Sequence, residues 1–184
     1  MTRLLDIQVV QIDPEFQSLI PIMVKEEKDA LEASILAEGC RDSLVHWDGV
    51  LLDGHNRYEI CTRHEIPFKT TGKTFDNRDQ AKIWIIANQL SRRNITPAQR
   101  TYLLGIQYNL EKKEEGFQGP GPGQGKTRDQ NEPVFQRTAE KIAKQHHISP
   151  ATVKRAEKFA DAVDKLSPEE KAEVLAGKSG KTKQ

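Results

Sequence analysis

The chain has 184 residues, of which 28 are basic and 27 acidic, and its formal net charge is +1. Its mean hydropathy of −0.69 and the lack of a long apolar run exclude a membrane-spanning helix, and the first residues do not resemble a secretory signal. The two cysteines, Cys40 and Cys61, are not spaced like metal ligands, so we expect a cytosolic protein with two reduced thiols.

The first predicted elements are a helix and a β-hairpin. Residues 25–38 carry apolar side chains at helical spacing, and Gly39 can provide the C-terminal cap. Residues 44–53 contain two apolar runs on either side of Asp48-Gly49, a dipeptide typical of hairpin turns.

The segment 54–59 follows the hairpin and begins the next predicted helix, which extends to about His64. Glycine at a strand end lets the backbone turn and approach a ligand, and the first N–H groups of a helix favour an anion. Arg57 adds a forked cation suited to phosphate oxygens. The pattern predicts an anion site, but a surface or helix-capping arginine is an equally compatible interpretation.

The next predicted elements complete a mixed domain. We expect a short strand over 66–70, at a sheet edge because of Pro67, and then a helix that Asp76 caps and that extends to about Leu90. The expected core residues of that helix are Ala81, Trp84, Ile85 and Ala87. Short strands and helices without regular alternation indicate an α+β fold.

The second half is predicted to be helical. Thr96-Pro97-Ala98-Gln99 combines a cap, a proline at the first helical position and a capping-box glutamine, and apolar residues at 103, 106 and 110 follow on one face. Residues 116–133 are rich in glycine and proline and predict a mobile loop. Its Gly125-Lys126-Thr127 lacks the earlier glycine of a phosphate loop, so we do not expect one there.

Residues 137–155 have the pattern of a helix-turn-helix. A short helix over 138–146 is followed by a turn at His147-Ile148, and Ser149 caps a second helix that begins at Pro150. The residues expected to fix the helix crossing are Ile142, Ala143, Ile148 and Val153. The segment 116–184 has 13 basic and nine acidic residues, which favours nucleic acid but also fits a solvated face. An ordinary helical hairpin is the alternative.

The start of the second helix is expected to enter the DNA major groove. Arginine can bond a guanine edge through two N–H groups, whereas serine and threonine more often contact phosphate. The predicted DNA-binding residues are Ser149, Ala151, Thr152, Lys154, Arg155 and Lys158. We expect His146 and His147 to be a solvated pair in the turn and not metal ligands. A further short helix is predicted to start at Ser167-Pro168, before a lysine-bearing tail.

The order of these segments resembles the ParB/sulfiredoxin-like superfamily, and in particular ParB-like proteins with an N-terminal domain and a helix-turn-helix. Residues 53–60, DGHNRYEI, are similar to the family's phosphate box, GERRxRA, with Gly54 and Arg57 as matches. Residues 31–44 are similar to the family's helix–glycine–strand segment. Residues 88–97, NQLSRRNITP, are similar to its ENLQRxDLNP box, with Asn88 in place of the acidic residue.

The resemblance implies that both boxes bind nucleotide phosphates, with CTP or ATP and Mg²⁺ as the ligand. The implied contact residues are Gly54, His55, Asn56, Arg57, Asn88, Arg92 and Arg93. An asparagine at position 88 lacks the charge that favours Mg²⁺, and we predict neither a protein metal site nor a catalytic residue. Sulfiredoxins have their catalytic cysteine at the position of His55, so reductase activity is not expected; an NTPase activity is left open.

We therefore expect a small mixed-sheet ParB-like domain over residues 1–93, an all-α helix-turn-helix domain over 94–166, and a short helix with a basic tail over 167–184. The expected function is sequence-specific DNA binding by a cytoplasmic, nucleoid-associated partition or regulatory protein. Double-stranded DNA and a nucleotide are the expected partners, and a homodimer is left open. The alternatives are a ParB-like NTPase or nuclease that acts on DNA, and an interaction module that has lost both ligands.

Overall fold

The computed structural model describes residues 10–92, 94–114 and 132–177, except for the side chains of 132–136. Within these ranges the chain forms eight helices and one three-stranded sheet, so the predicted α+β class is confirmed. The chain separates into two compact units, residues 1–85 and 86–184. Positions 116–131 of the predicted loop and positions 178–184 of the predicted tail lie outside the described residues.

The first unit contains the sheet and most of the short helices. Its elements are α1 (Pro14–Ser18), α2 (Lys25–Glu38), β1 (Leu44–Trp47), β2 (Val50–Asp53), α3 (His55–Arg63), β3 (Thr70–Gly72) and α4 (Arg78–Leu90), whose last residues belong to the second unit. The second unit continues with α5 (Pro97–Glu114), α6 (Glu132–Gln145), α7 (Pro150–Val163) and α8 (Pro168–Leu175). None of the helices in the described ranges has the length and apolar character needed to cross a membrane.

The predicted hairpin forms the centre of the sheet. Strands β1 and β2 are antiparallel, and Asp48 and Gly49 between them have φ values of 47° and 81°, as a type I′ turn requires. The predicted helix over 25–38 is also confirmed, and Gly39 ends it with a φ of 76°. Both features depend on neighbouring residues, which is why their bounds could be predicted.

The third strand lies later in the chain than predicted. Strand β3 covers Thr70–Gly72 and pairs in parallel with β1 at the sheet edge, so the strand predicted over 66–70 is wrong in its bounds. Pro67 has no N–H to donate, and Ile66 and Phe68 instead pack against a buried cluster formed with Ile35, Ile60 and Cys61. Side-chain burial therefore takes precedence over strand pairing in this stretch.

Helix α4 begins two residues after Asp76, so the predicted cap at Asp76 is wrong. Asn77 makes the capping bond, because its Oδ1 accepts a hydrogen bond from Gln80 N at 2.9 Å. Of the core residues predicted in α4, Ala81 and Ile85 are fully buried. Trp84 and Ala87 are partly buried.

The second unit is held together by a close approach of α5 and α7. Helix α5 starts with the predicted capping box, in which Gln99 N donates to Thr96 Oγ1 and Thr96 N donates to Gln99 Oε1. Gly105, in the middle of α5, is buried against α7. A Cβ atom at Gly105 would overlap the carbonyl of Ala156 and lie 2.7 Å from the Cβ of Ala160. The two backbones can therefore approach this closely only with glycine at position 105.

Helices α6 and α7 form the predicted helical pair. Helix α6 starts at Glu132, earlier than predicted, and α7 ends at Val163. Ser149 caps α7 as expected, since its Oγ accepts from Thr152 N at 3.2 Å. Ile142 and Val153 are fully buried between the helices, and Ala143 is 3% exposed. The predicted helix after Ser167 is confirmed, with a complete capping box.

Candidate functional site

The start of α3 is shaped by Gly54. This residue has a φ of 98° between β2 and α3, a left-handed conformation that side chains other than glycine rarely adopt. A Cβ atom there would lie 2.5 Å from Leu44 Cδ2. Within the ranges that the structure describes, no side chain caps the first N–H groups of α3. The uncapped N–H groups of a helix start are a favourable environment for an anion.

Arg57 is held by carbonyl and carboxylate oxygens. Its Nη2 donates to Asp53 Oδ2 at 3.2 Å and to the carbonyl oxygen of Ser43 at 3.4 Å, and its Nη1 lies 4.0 Å from Asp42 Oδ2. The Arg57 side chain is only 20% exposed, and its buried Nε has no hydrogen-bond partner among the described residues. Arg57 is thus a positioned, partly buried cation with one donor still unsatisfied.

His55 is the second buried polar group at this helix start. It is 7% exposed, and neither of its ring nitrogens has a hydrogen-bond partner within the described part of the chain. Burial lowers the pKa of His55, and the nearby Asp53 carboxylate opposes that shift without cancelling it. A buried imidazole with no partners is costly, and such orphaned polar groups are often satisfied by a ligand or water.

The residues of the first predicted box therefore lie together. Gly54, His55, Arg57 and the partly buried Asn56 all belong to the first turn of α3 or directly precede it. Their donors suit a phosphate, because they combine uncapped backbone N–H groups, a forked cation and a neutral imidazole. In the described ranges, no three histidine, cysteine or acidic residues are grouped as metal ligands would be.

The second predicted box lies at the end of α4, in the other unit. Asn88 and Arg92 are both partly buried. The hydroxyl of Ser91 donates to the carbonyl oxygen of Asn88 at 2.7 Å, and Arg92 N donates to the carbonyl oxygen of Gln89 at 3.0 Å. These bonds form a compact end to the helix. Arg93 lies outside the described residues.

Helix α7 exposes the residues predicted to contact DNA. Lys154, Arg155 and Lys158 are exposed, and none of them makes an ion pair with a residue that the structure describes. Ser149 and Ala151 are also exposed, whereas Thr152 is partly buried. The opposite face of α7 is buried through Val153, Ala156, Ala160 and Val163. Packing of that apolar face directs the three cations outward.

The two histidines of the turn differ from each other. His147 is exposed and has a φ of 55°, so it takes the left-handed position at which glycine is common. His146 is not solvated as predicted: it is partly buried, and its Nε2 lies 3.0 Å from Gln107 Oε1. Burial, and then the charge of Arg100, lowers the pKa of His146. The packing of α5 against the turn is the tertiary contact that a local pattern could not reveal.

Two buried residues of α5 were not predicted as part of this region. Gln107 is 1% exposed, and its Nε2 donates to Glu111 Oε1 at 2.7 Å. With His146 they form a hydrogen-bonded chain that supports the turn before α7. The sequence signal was available, because Gln107 and Glu111 lie four residues apart among the apolar positions of α5, where polar side chains need partners.

No protein-family model and no curated protein matches this chain. Solved structures do match it, among them two of a pNOB8-like ParB N-domain. The C222₁ crystal form of a pNOB8-like ParB-N domain superimposes with a TM-score of 0.58 at 18% identity, over 91% of this chain and 89% of that one. A second structure of the pNOB8-like ParB N-domain gives a TM-score of 0.50 at 18% identity, over 94% of this chain and 62% of that one. At this identity the match establishes architecture, and it agrees with the resemblance seen in the sequence: the chain has the fold of a ParB N-domain.

Proposed function

We propose that this protein is a sequence-specific DNA-binding partition or regulatory protein of the ParB type, whose first unit binds the phosphates of a nucleotide. The observation that carries the proposal is the exposed face of α7, where three cations with no ion-pair partner among the described residues lie opposite a buried apolar face. The ParB-N fold of the relatives supports the same assignment.

The geometry of α7 suits the major groove. Ala151 is a small residue beside the cations, so the helix start can approach base edges closely. Arg155 provides the forked donor that matches guanine, and Lys154 and Lys158 provide charges for phosphates. The capped, packed helix keeps these side chains on one face, so little ordering is required on binding.

DNA binding is tested with a duplex selected from a random-sequence pool and with a mixed-sequence duplex. The double variant Lys154→Ala/Arg155→Ala should lose roughly 100-fold in affinity for the selected duplex, and its salt dependence should become shallower by about two units of slope. Lys165→Ala, an exposed lysine after the end of α7, is the matched control. Binding by the double variant that equals that of the parent would show that α7 does not enter the groove.

The nucleotide part of the proposal rests on the start of α3. A phosphate placed there would accept from the uncapped N–H groups, and it would satisfy the buried donors of His55 and Arg57 that have no partner among the described residues. Asp53 and Asp42 already balance the charge of Arg57, so the phosphate must compete with them. Mg²⁺ bound to the nucleotide would lower the repulsion between those carboxylates and the phosphates.

The nucleotide is identified by calorimetric titration with CTP, ATP, GTP and UTP in Mg²⁺, with and without the selected duplex. Arg57→Ala should weaken binding at least tenfold, because it removes the forked cation. Arg63→Ala is the matched control, since Arg63 lies on the same helix but is 48% exposed and pairs with Glu32. Equal binding by Arg57→Ala and the parent would refute a phosphate site at α3. Nucleotide hydrolysis that depends on Arg57 would instead favour an NTPase.

A further inference from the structure

A pair of thiols lies one helical turn from Arg57, and the proposed function makes no use of it. Cys61 follows Arg57 by four residues on α3 and is fully buried. Cys40 comes directly after Gly39, the residue that ends α2, and is partly buried. Although they are distant in sequence, both cysteines pack in one apolar cluster with Ile35. The fold therefore brings together two cysteines whose spacing suggested no relationship.

The two cysteines are neighbours in this cluster. Each is a free thiol, and Cys40 packs against the buried group that contains Cys61. The Sγ of Cys40 also donates to the carbonyl oxygen of Asp42 at 3.5 Å. Disulfides require Cβ atoms roughly 3.5–4.5 Å apart, so only cysteines that pack together, as these two do, can form one.

The two cysteines differ in access to solvent, which assigns them different roles. Burial, and then the neighbouring Cys40, raises the pKa of the Cys61 thiol to about 12, so Cys61 stays protonated and does not react first. Cys40 is the partly exposed member of the pair and can meet an oxidant from solvent. Once Cys40 carries an oxidant fragment, its thiol no longer raises the pKa of Cys61.

We propose that Cys40 and Cys61 form a reversible redox site, which a small-molecule disulfide such as oxidised glutathione converts into an intramolecular disulfide. The Cys40 thiolate attacks one sulfur of the oxidant, a mixed disulfide forms, and the first glutathione leaves as a thiolate that takes up the proton Cys40 lost. The Cys61 sulfur then attacks the Cys40 sulfur, and the second glutathione leaves with the Cys61 proton. Two protein thiols are oxidised, and one disulfide is reduced to two thiols.

The new bond would join two segments that both contact Arg57. Cys61 lies on the helix that carries Arg57, while Cys40 belongs to the stretch that supplies Asp42 and the carbonyl oxygen of Ser43 to its guanidinium group. Oxidation would hold these two segments together and limit local opening at the start of α3. The formation of the disulfide itself does not depend on whether a nucleotide binds there.

The test treats the full chain with oxidised glutathione and follows thiols, mass and melting. We expect both thiols to become resistant to alkylation, the mass to fall by two hydrogens, and a tryptic map to join the Cys40 and Cys61 peptides. The melting temperature should rise by roughly 5–10 °C, because the bond restricts the unfolded chain. Dithiothreitol should reverse all of these changes.

Two variants separate the roles of the cysteines. Cys61→Ala should keep one glutathione bound at Cys40, because no second thiol is present to release it, whereas Cys40→Ser should remain unmodified. The proposal is overturned if the oxidised parent retains two alkylatable thiols, carries glutathione on both cysteines, or forms only disulfides between chains. The peptide map of the parent decides the matter even if the Cys61→Ala chain does not fold.

Discussion

The starts of α3 and α7 present two opposite ways to begin a helix. At α3, Gly54 leaves the first N–H groups without a side-chain cap, and the polar residues that follow are buried. At α7, the Ser149 hydroxyl caps the helix, and the cations that follow are exposed. The first start has buried side-chain donors with no partner in the described part of the chain, whereas the second has a side-chain cap and exposed charges.

This difference predicts two kinds of recognition. A ligand at α3 would be bound by backbone N–H groups and buried side chains, so its affinity depends on geometry and is only weakly screened by salt. DNA at α7 would be bound by exposed charges, so its affinity depends strongly on salt. Each prediction that follows disturbs either α3 or α7, from the largest expected effect to the smallest.

Gly105→Ala should have the largest effect, because it separates α7 from its support. The new Cβ would overlap the Ala156 carbonyl, and backbone atoms in packed helices cannot move aside, so we expect a loss of about 4 kcal/mol in unfolding free energy. Urea unfolding measures this loss of stability, and DNA affinity should fall together with stability. Gly72→Ala is the control, since its Cβ would meet the His46 ring at 3.4 Å. Wild-type stability for Gly105→Ala would contradict this packing of α5 on α7.

Gly54→Ala changes the start of α3 and should lower the unfolding free energy by less than Gly105→Ala does. The positive φ and the overlap with Leu44 together should cost about 2–3 kcal/mol. Gly49→Ala is the comparison, because Gly49 also has a positive φ but has open space at its Cβ position. The difference between the two variants therefore measures the cost of the overlap with Leu44. Equal unfolding free energies for the two variants would mean that the contact with Leu44 is unimportant.

Ser149→Ala should cost about 1 kcal/mol by removing the cap of α7. Ser149→Asp retains a capping oxygen, so it should restore most of that stability, as thermal unfolding would show. Its negative charge lies beside the proposed groove contacts, so DNA affinity should nevertheless fall. If Ser149→Asp restored both stability and DNA affinity, the helix start would not lie near DNA phosphates.

The smallest expected effect concerns pH and the buried imidazole of His55. Burial lowers its pKa in the folded chain, so the unfolded chain binds this proton more readily, and stability present above about pH 6.5 should decline as the pH falls below that value. His55→Gln, which cannot take up the proton, should show a flatter loss of melting temperature between pH 7.5 and 5.5. The expected difference is smaller than the effect of Ser149→Ala, and His147→Ala, an exposed position, is the control. A parent and His55→Gln variant with parallel pH profiles would contradict the prediction.

Most features that depend on a few neighbouring residues were predicted correctly from the chain alone, although the cap of α4 was placed one residue too early. The hairpin turn at Asp48-Gly49, the glycine that ends α2, the capping box at Thr96 and the cap at Ser149 are all present as expected. Each depends on backbone conformations or hydrogen bonds within about four residues, so the local sequence contains the necessary information. The resemblance to ParB-like proteins likewise led to the fold that the solved relatives share.

Features that depend on distant packing were decided only by the tertiary structure. The strand at Thr70–Gly72, the burial of His146 against Gln107 and the packing of Cys40 against the cluster of Cys61 each join residues far apart in the chain. The need for glycine at position 105 likewise arises only when α7 lies against α5. The sequence alone therefore determined the hairpin turn and several helix caps, since these are local equilibria. The tertiary structure decided which polar groups are buried, because burial depends on what the rest of the chain places around them.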